Sequence, residues 1–331
     1  MVKNNKPVKK KEVPKEWYNH FRRIKNTRRQ LAKNHGNKDW WKSVGHETTD
    51  QFHGGKRGFR IVAEASSSKK ARNDLPEQKN REEIVVDEYE EPEAFSYCPS
   101  SFQNTTTYSC VPGGAYLKDN ESAYSGGCQV QYDGSPMYLT SAHGPAFGGD
   151  YPGDCPEDED LTGYEIDQGG TREPFGTVHA YDYNHDFSVI DPYDNNLDDT
   201  IAPESTTIWG HVSESGIADY QSSGETIYLY GAKSGQTRTG TIKKDFQWFP
   251  CYQDSIHQEV PYIRYDGMSG CNGDSGGPFY VKDDIVGVGE FIAITSILYG
   301  GFHDYETSRG PAAYGLANNF PMDFSQDPNL C

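Results

Sequence analysis

The sequence predicts an all-β body of β-barrel type, behind a smaller α/β or partly disordered N-terminal segment. Three observations carry this expectation. Beyond residue 95 the chain runs through short alternating stretches such as Thr226 to Tyr230 and Thr239 to Ile242, with the length and period of strands. Turn signals separate them at Asp133-Gly134, Gly148-Gly149, Asn195-Asn196, Ser223-Gly224 and Ser234-Gly235. No long helical pattern interrupts the series, and regular short strands without long helices point to barrels.

Charge divides the chain at nearly the same place. Residues 1–81 carry 22 Lys/Arg against 8 Asp/Glu, whereas residues 82–331 carry 9 against 41. A basic leader therefore precedes a strongly acidic body, hidden behind an overall net charge of −18. Self-repulsion on that scale loosens a compact state in ordinary buffer. Molar salt, with a Debye length of about 3 Å, relieves it. The composition suggests a salt-loving, archaeal source; an acidic secreted protein with no salt requirement fits the same numbers.

In chain order, residues 1–50 form the basic leader. Lys15 to Lys33 suits a helix, with Trp17, Phe21, Ile24, Arg28 and Leu31 at helical spacing. The Arg22-Arg23 and Arg28-Arg29 pairs would suit nucleic acid or another anionic surface. Opposite charges within one chain favour instead a leader that docks on its own acidic body, which makes nucleic acid an unlikely partner. Residues 51–95 suggest a small β-α-β piece: strand Phe59 to Ala63, helix Ser68 to Leu75, strand Ile84 to Val86. The run Ser66-Ser67-Ser68-Lys69-Lys70 leaves disorder open. An acidic linker with Pro92 then places a boundary near 95.

Seven cysteines, at 98, 110, 128, 155, 251, 271 and 331, all follow the leader and form no Cys-x-x-Cys pair. That pattern favours disulfides and an extracellular, oxidising location over a zinc site. The numbered chain opens Met1-Val2-Lys3-Asn4 without an apolar h-region, so it displays no secretory signal. That sits against the disulfide reading. No run approaches the roughly 18 apolar residues of a membrane span, so no membrane partner is expected.

Chemistry concentrates in Cys271-Asn272-Gly273-Asp274-Ser275-Gly276-Gly277-Pro278. Glycines on both sides let the backbone bend tightly. Such a loop would push out the Ser275 hydroxyl and converge the Gly273 and Ser275 N–H groups, a nucleophile with an oxyanion hole. A serine hydroxyl needs a base. The stretch Tyr138-Leu139-Thr140-Ser141-Ala142-His143-Gly144 supplies His143, and His185-Asp186-Phe187-Ser188-Val189-Ile190 supplies Asp186 at the mouth of an apolar strand. His179 and His185 lack such a context and read as structural.

The order His143, Asp186, Ser275 and all three local motifs resemble the chymotrypsin-like serine proteases. Val111-Pro112-Gly113-Gly114-Ala115-Tyr116 and Tyr230-Gly231-Ala232-Lys233-Ser234-Gly235-Gln236-Thr237 are similar to the bacterial streptogrisin and α-lytic subgroup. The resemblance implies a double six-stranded β-barrel over 96–203 and 204–331, behind a segment over 51–95 that resembles a pro-region. It implies a secreted, monomeric endopeptidase acting on protein or peptide substrates, with no cofactor and no metal. The triad would be His143, Asp186 and Ser275, with Gly273 and Ser275 N–H groups as the oxyanion hole. Asp274 would be ordered by an internal base, Arg238 or Arg264.

By the same resemblance Ser269 stands at the base of the P1 pocket, the Ser296 strand on one wall and Ala312 on the other. Without an acid at 269, an uncharged apolar or aromatic P1 residue is expected. Favoured disulfides are Cys98–Cys110, Cys128–Cys155 and Cys251–Cys271, although Gly144 replaces the family's usual cysteine after the histidine. A non-catalytic relative that only binds protein in the cleft, and a chain whose basic leader is the working end, are the alternatives.

Overall fold

The computed structural model describes residues 2–3, 6–7, 11–90, 98–120, 122–146, 160–194, 196–248, 260–285, 289–301 and 307–324. Cys155, Cys251 and Cys331, the linker at Pro92 and the Gly148-Gly149 turn lie outside them. The body is built mainly of β-strands, most of them in two large sheets. Its first sheet runs in the order Met322–Asp323, Cys128–Tyr132, Ser135–Thr140, Phe187–Pro192, Glu173–Asp182, Glu165–Gln168, Tyr116–Lys118, Ala123–Ser125. The second gathers Ile208–His211, Gly289–Ile297, Pro278–Ile285, Ile227–Gly231, Gln236–Trp248, Val260–Asp266 and Thr307–Pro311.

Local chemistry explains the elements that matter most. Tyr132 pairs with Ser135 across a hairpin closed by Asp133 and Gly134, both at positive φ, as a type I′ turn requires. The next pairing sets Leu139 opposite Val189 and Thr140 opposite Ser188. Cys128, Val130, Leu139, Phe187 and Val189 from the first sheet then pack with Tyr230, Tyr280, Ile292, Ile294 and Ile297 from the second in one apolar cluster. Each such side chain contributes roughly 1.5–3 kcal/mol on full burial. The two sheets are thereby clamped face to face, and the candidate site lies along their seam.

One turn signal turned out to be a helix end. Gly224 is the left-handed C-cap of helix Glu214–Ser223, whose Ser213 N-cap hydroxyl accepts from the Gly216 N–H. The helix shows little amphipathic signal, so capping was its only strong mark.

The N-terminal unit is ordered as a helix and strands with their own core. Helix Lys15–His35 buries Trp17, Phe21, Ile24, Arg28 and Leu31, the five residues expected from spacing. It packs on the hairpin Trp41–His53 and Lys56–Ala65. Helix Ser68–Asp74 then crosses to Glu82–Glu88, which pairs parallel to the 56–65 strand with Ile61 opposite Ile84. Residue 50 therefore falls inside a strand, and helix and β-α-β piece share one core. The 41–53 strand also pairs antiparallel with 236–248 of the body, from Lys244↔Glu47 to Trp248↔Ser43, so the unit's sheet continues the second barrel.

Charge fastens this contact. Lys11 lies 2.9 Å and Lys56 within bonding distance of Asp219, Lys25 bonds Glu214, and the buried Arg28 stands 3.5 Å from Asp245. Leader cations thus meet body acids, as the opposite charges suggested.

Candidate active site

The ladder between 135–140 and 187–192 carries two of the three expected catalytic side chains to one point. Antiparallel register that sets Thr140 opposite Ser188 brings the residues just beyond each strand end together, and these include His143 and Asp186. His143 Nδ1 lies 2.9 Å from both Asp186 carboxylate oxygens, and the His143 N–H donates to Oδ1 at 3.0 Å. Both side chains are buried. Asp186 sits at φ +45°, a left-handed conformation costly for a residue with a Cβ.

Ser275 comes from the second barrel, on a loop fixed almost entirely by backbone bonds. Asp274 N–H donates to the Cys271 carbonyl at 2.7 Å and Gly277 N–H to the Asp274 carbonyl at 2.8 Å. Ser125 of the first barrel grips the loop twice: its N–H donates to the Ser275 carbonyl at 3.0 Å, its hydroxyl to the Gly273 carbonyl at 2.9 Å. Gly276, at φ +84°, packs so tightly that a Cβ would strike the Ser125 carbonyl, the Thr140 hydroxyl and the Ser141 N–H. The loop therefore lies against 140–141, immediately before His143, with Ser275 half-exposed. Among the described hydrogen bonds neither the Gly273 nor the Ser275 N–H donates to a protein acceptor, so both remain available to a ligand.

Asp274 is fully buried, and its carboxylate accepts from the Cys271 and Ser234 N–H groups, each at 2.9 Å. Burial pushes its pKa up, against those bonds and the more distant attraction of Arg238. Neither arginine expected as its partner is bonded to it. Arg238 donates to the carbonyl and hydroxyl of Ser269, and Arg264 pairs with Glu90 at 3.6 Å. Two backbone donors do the work assigned to a base.

The cysteines also correct expectation. Cys98 is bonded to Cys271, not to Cys110, so Cys251–Cys271 falls as well. Cys110 is likewise disulfide-bonded. Cys128 is a free, buried thiol, which removes Cys128–Cys155. A side chain at Gly144 would meet the Tyr124 ring and the Ser141 hydroxyl.

Ser269 is half-buried with Arg238 on its carbonyl, a guanidinium that position-by-position reading did not connect to it. Ser296 and Ala312 are brought together in a β-bridge, but both are fully buried. The Ser296 hydroxyl lies 2.8 Å from the Tyr265 hydroxyl. They belong to the core behind the wall. The strand reaches the nucleophile's loop slightly later, where Leu298 exchanges hydrogen bonds with Gly276 and Gly277, both 2.8 Å. Tyr299 follows, its ring edge-on to the His143 imidazole at 5.5 Å. Sequence reading did not single out Tyr299, which reaches His143 only through the fold. His185 is structural, held by Asp182 at 2.9 Å and Asn319 at 3.1 Å.

A concavity of about 800 Å³ lies in the N-terminal unit, between His20, Arg23, His53, Arg72 and Glu82. His20 is engaged there with Glu82 and the Phe59 N–H.

No protein-family description matches this chain, and no curated protein does. Solved structures with a similar fold are serine proteases at low identity. A glutamic acid specific serine protease with a histidine triad in substrate binding is 12% identical over 65% of this chain and all of its own, with a TM-score of 0.45. Protease A of Thermobifida fusca is 16% identical over 66% of this chain and all of its own, TM-score 0.45. An α-lytic protease homologue, N4, is 15% identical over 65% of this chain and 99% of its own, TM-score 0.39.

Proposed function

We propose that this chain is a secreted, monomeric serine endopeptidase made with an N-terminal pro-region. One observation carries the reading: the His143 imidazole held by the Asp186 carboxylate at 2.9 Å, beside a glycine-bounded Ser275 whose loop packs on Ser141. Ser275 Oγ attacks the substrate carbonyl while His143 accepts its proton. The imidazole then returns that proton to the leaving amine, and water repeats the sequence on the acyl-enzyme. Asp186 fixes the tautomer with the proton on Nδ1, so that Nε2 is the atom that accepts, and stabilises the imidazolium. The Gly273 and Ser275 N–H groups hold the oxyanion, worth on the order of 3 kcal/mol per donor.

With no acid at Ser269 and Arg238 spent on its carbonyl, the pocket takes an uncharged apolar or aromatic P1 side chain. Residues 1–90 act as the pro-region, and their ordered docking on the body supports that role. A fluorophosphonate probe should label the protein at Ser275, and Ser275→Ala should abolish labelling and lower kcat by roughly 10⁶-fold. In a peptide library, cleavage should follow Phe, Tyr, Leu or Met. Persistent labelling in the alanine variant refutes the nucleophile, and cleavage chiefly after Lys, Arg or Glu refutes the pocket.

A further inference from the structure

The acidic body has nine Lys/Arg over residues 82–331, and three of them stand in one row. Strand register sets Lys244 opposite Arg264, and Arg264 opposite Arg309. Like charges directly opposite one another destabilise a sheet unless something counters them. Here the N-terminal unit supplies counter-charge. Glu64 Oε1 lies 2.8 Å from Lys244 Nζ, and Glu90 Oε2 lies 3.6 Å from Arg264. Tyr89 hydrogen-bonds Arg309 and joins the apolar cluster of Phe246, Tyr262 and Tyr299. Burial works to raise Glu64, but Lys244, the Ser43 hydroxyl and Arg264 hold its carboxyl below the ordinary range.

The row also leads to the candidate centre. The Arg309 guanidinium lies over the Tyr299 ring at 4.9 Å, and that ring meets the His143 imidazole. Tyr299 N–H donates to the Arg309 carbonyl at 2.9 Å. The chain that reaches the row at Glu90 is tied back at Cys98 to Cys271, in the loop that carries Ser275.

We propose that Lys244, Arg264 and Arg309 form a subsite for acidic side chains of a peptide, and that Glu64, Tyr89 and Glu90 fill it in the full chain. Calling that peptide a substrate rests on the peptidase reading; the site itself does not. Guanidinium groups grip carboxylates in a fixed fork. A body this acidic repels acidic peptides at range, and a local row of cations supplies recognition at contact, the more so where salt screens the long-range field. The leader therefore occupies the subsite as a tethered copy of the ligand.

Glu90 is 70% exposed, so Glu90→Gln unmasks Arg264 without loss of core. The test uses the full chain carrying Ser275→Ala, with and without Glu90→Gln, and Tyr89→Ala as a second unmasking variant. The probes are a fluorescein-labelled hexapeptide with two Glu ahead of a Phe, and its twin with two Gln. In the unmasked variants the Glu peptide should bind about 10-fold tighter than its twin, the worth of one charge-assisted contact. The masked parent should prefer it less than about 2-fold. Adding Arg264→Gln to Glu90→Gln should bring the ratio to about one. Equal binding of the twins, no binding of either, or a ratio that survives Arg264→Gln overturns the subsite. Cleavage of the same peptides by the Ser275 forms separates the two readings. Equal cleavage of both leaves the peptidase and removes the subsite; a binding preference without any cleavage does the reverse.

Discussion

The loop around Ser275 and the seam beneath the leader are held together by different physics. The loop is fixed by uncharged or backbone donors: Ser125 on Gly273 and Ser275, Leu298 with Gly276 and Gly277, backbone N–H groups on Asp274. The seam is fixed by paired β-strands and by charges, with Lys11, Lys25, Arg28 and Lys56 on Asp219, Glu214 and Asp245, and Glu64 and Glu90 returning the favour. Short hydrogen bonds inside a glycine loop respond little to salt or pH, whereas charge pairs respond to both. Conditions can therefore loosen the leader while the candidate centre stays formed.

The largest expected break in that contrast is at Arg28. It is 1% exposed, donates to the Asp245 carbonyl at 2.9 Å and to His46 Nδ1 at 2.7 Å, and lies near Asp245 and Glu214 carboxylates. Removing one partner of a buried ion pair costs about 3–5 kcal/mol, because the other is left uncompensated. Arg28→Ala should destabilise the leader by that amount, read from the shift of its thermal or urea unfolding transition. Arg28→Ala with Asp245→Asn should recover part of it. Fluorophosphonate labelling of any leader-free product should be unchanged, since that product no longer contains residue 28. A loss confined to under 1 kcal/mol would mean that the seam's charges are ornament to its strand pairing.

The same contrast explains what was legible in the sequence. The three candidate positions were readable because their motifs are local, an apolar strand running into His143, another opening at Asp186 and a glycine loop at Ser275, and the first two meet at 2.9 Å. The leader helix was readable from the spacing of Trp17, Phe21, Ile24, Arg28 and Leu31. Contacts between distant segments were not. Asp274 was assigned a basic partner from the family resemblance, yet its carboxylate accepts from two backbone N–H groups. Short loop lengths favoured Cys98–Cys110, but the actual bridge spans 173 residues. No sequence spacing reports that Tyr124 fills the space at Gly144. The cationic row was invisible for the same reason, since Lys244, Arg264 and Arg309 become neighbours only through register.

A smaller effect follows from Asp245 itself. Burial, reinforced by the Glu214 charge, pushes its pKa up to about 6, against the pull of Arg28, a hydrogen bond from Tyr314 and the pull of Lys25. A carboxyl whose folded pKa exceeds its unfolded value binds more protons when folded, so its contribution falls as pH rises between the two. Docking should therefore weaken from about pH 4 to about pH 6 and level off above. Asp245→Asn should flatten this slope, read as the difference between the two proteins' unfolding midpoints across that range. A difference that stays constant, or grows in favour of the wild type as pH rises, would show that Arg28 keeps the carboxylate charged throughout.

Salt should produce the smallest change and the most telling one, because it acts with opposite signs on the two parts. Raising NaCl from 0.1 M to 2 M screens the repulsion within a body of 41 acids and 9 bases, and should raise the midpoint of its unfolding. The same salt weakens the exposed part of the seam. Lys11 is 53% exposed opposite Asp219, a pair worth about 1 kcal/mol or less, while the buried Arg28 contact is screened far less. Calorimetry should accordingly resolve a leader transition that falls slightly with salt from a body transition that rises. If both transitions rise together, the leader is held by its apolar and strand contacts alone, and its charges serve the cationic row rather than the docking.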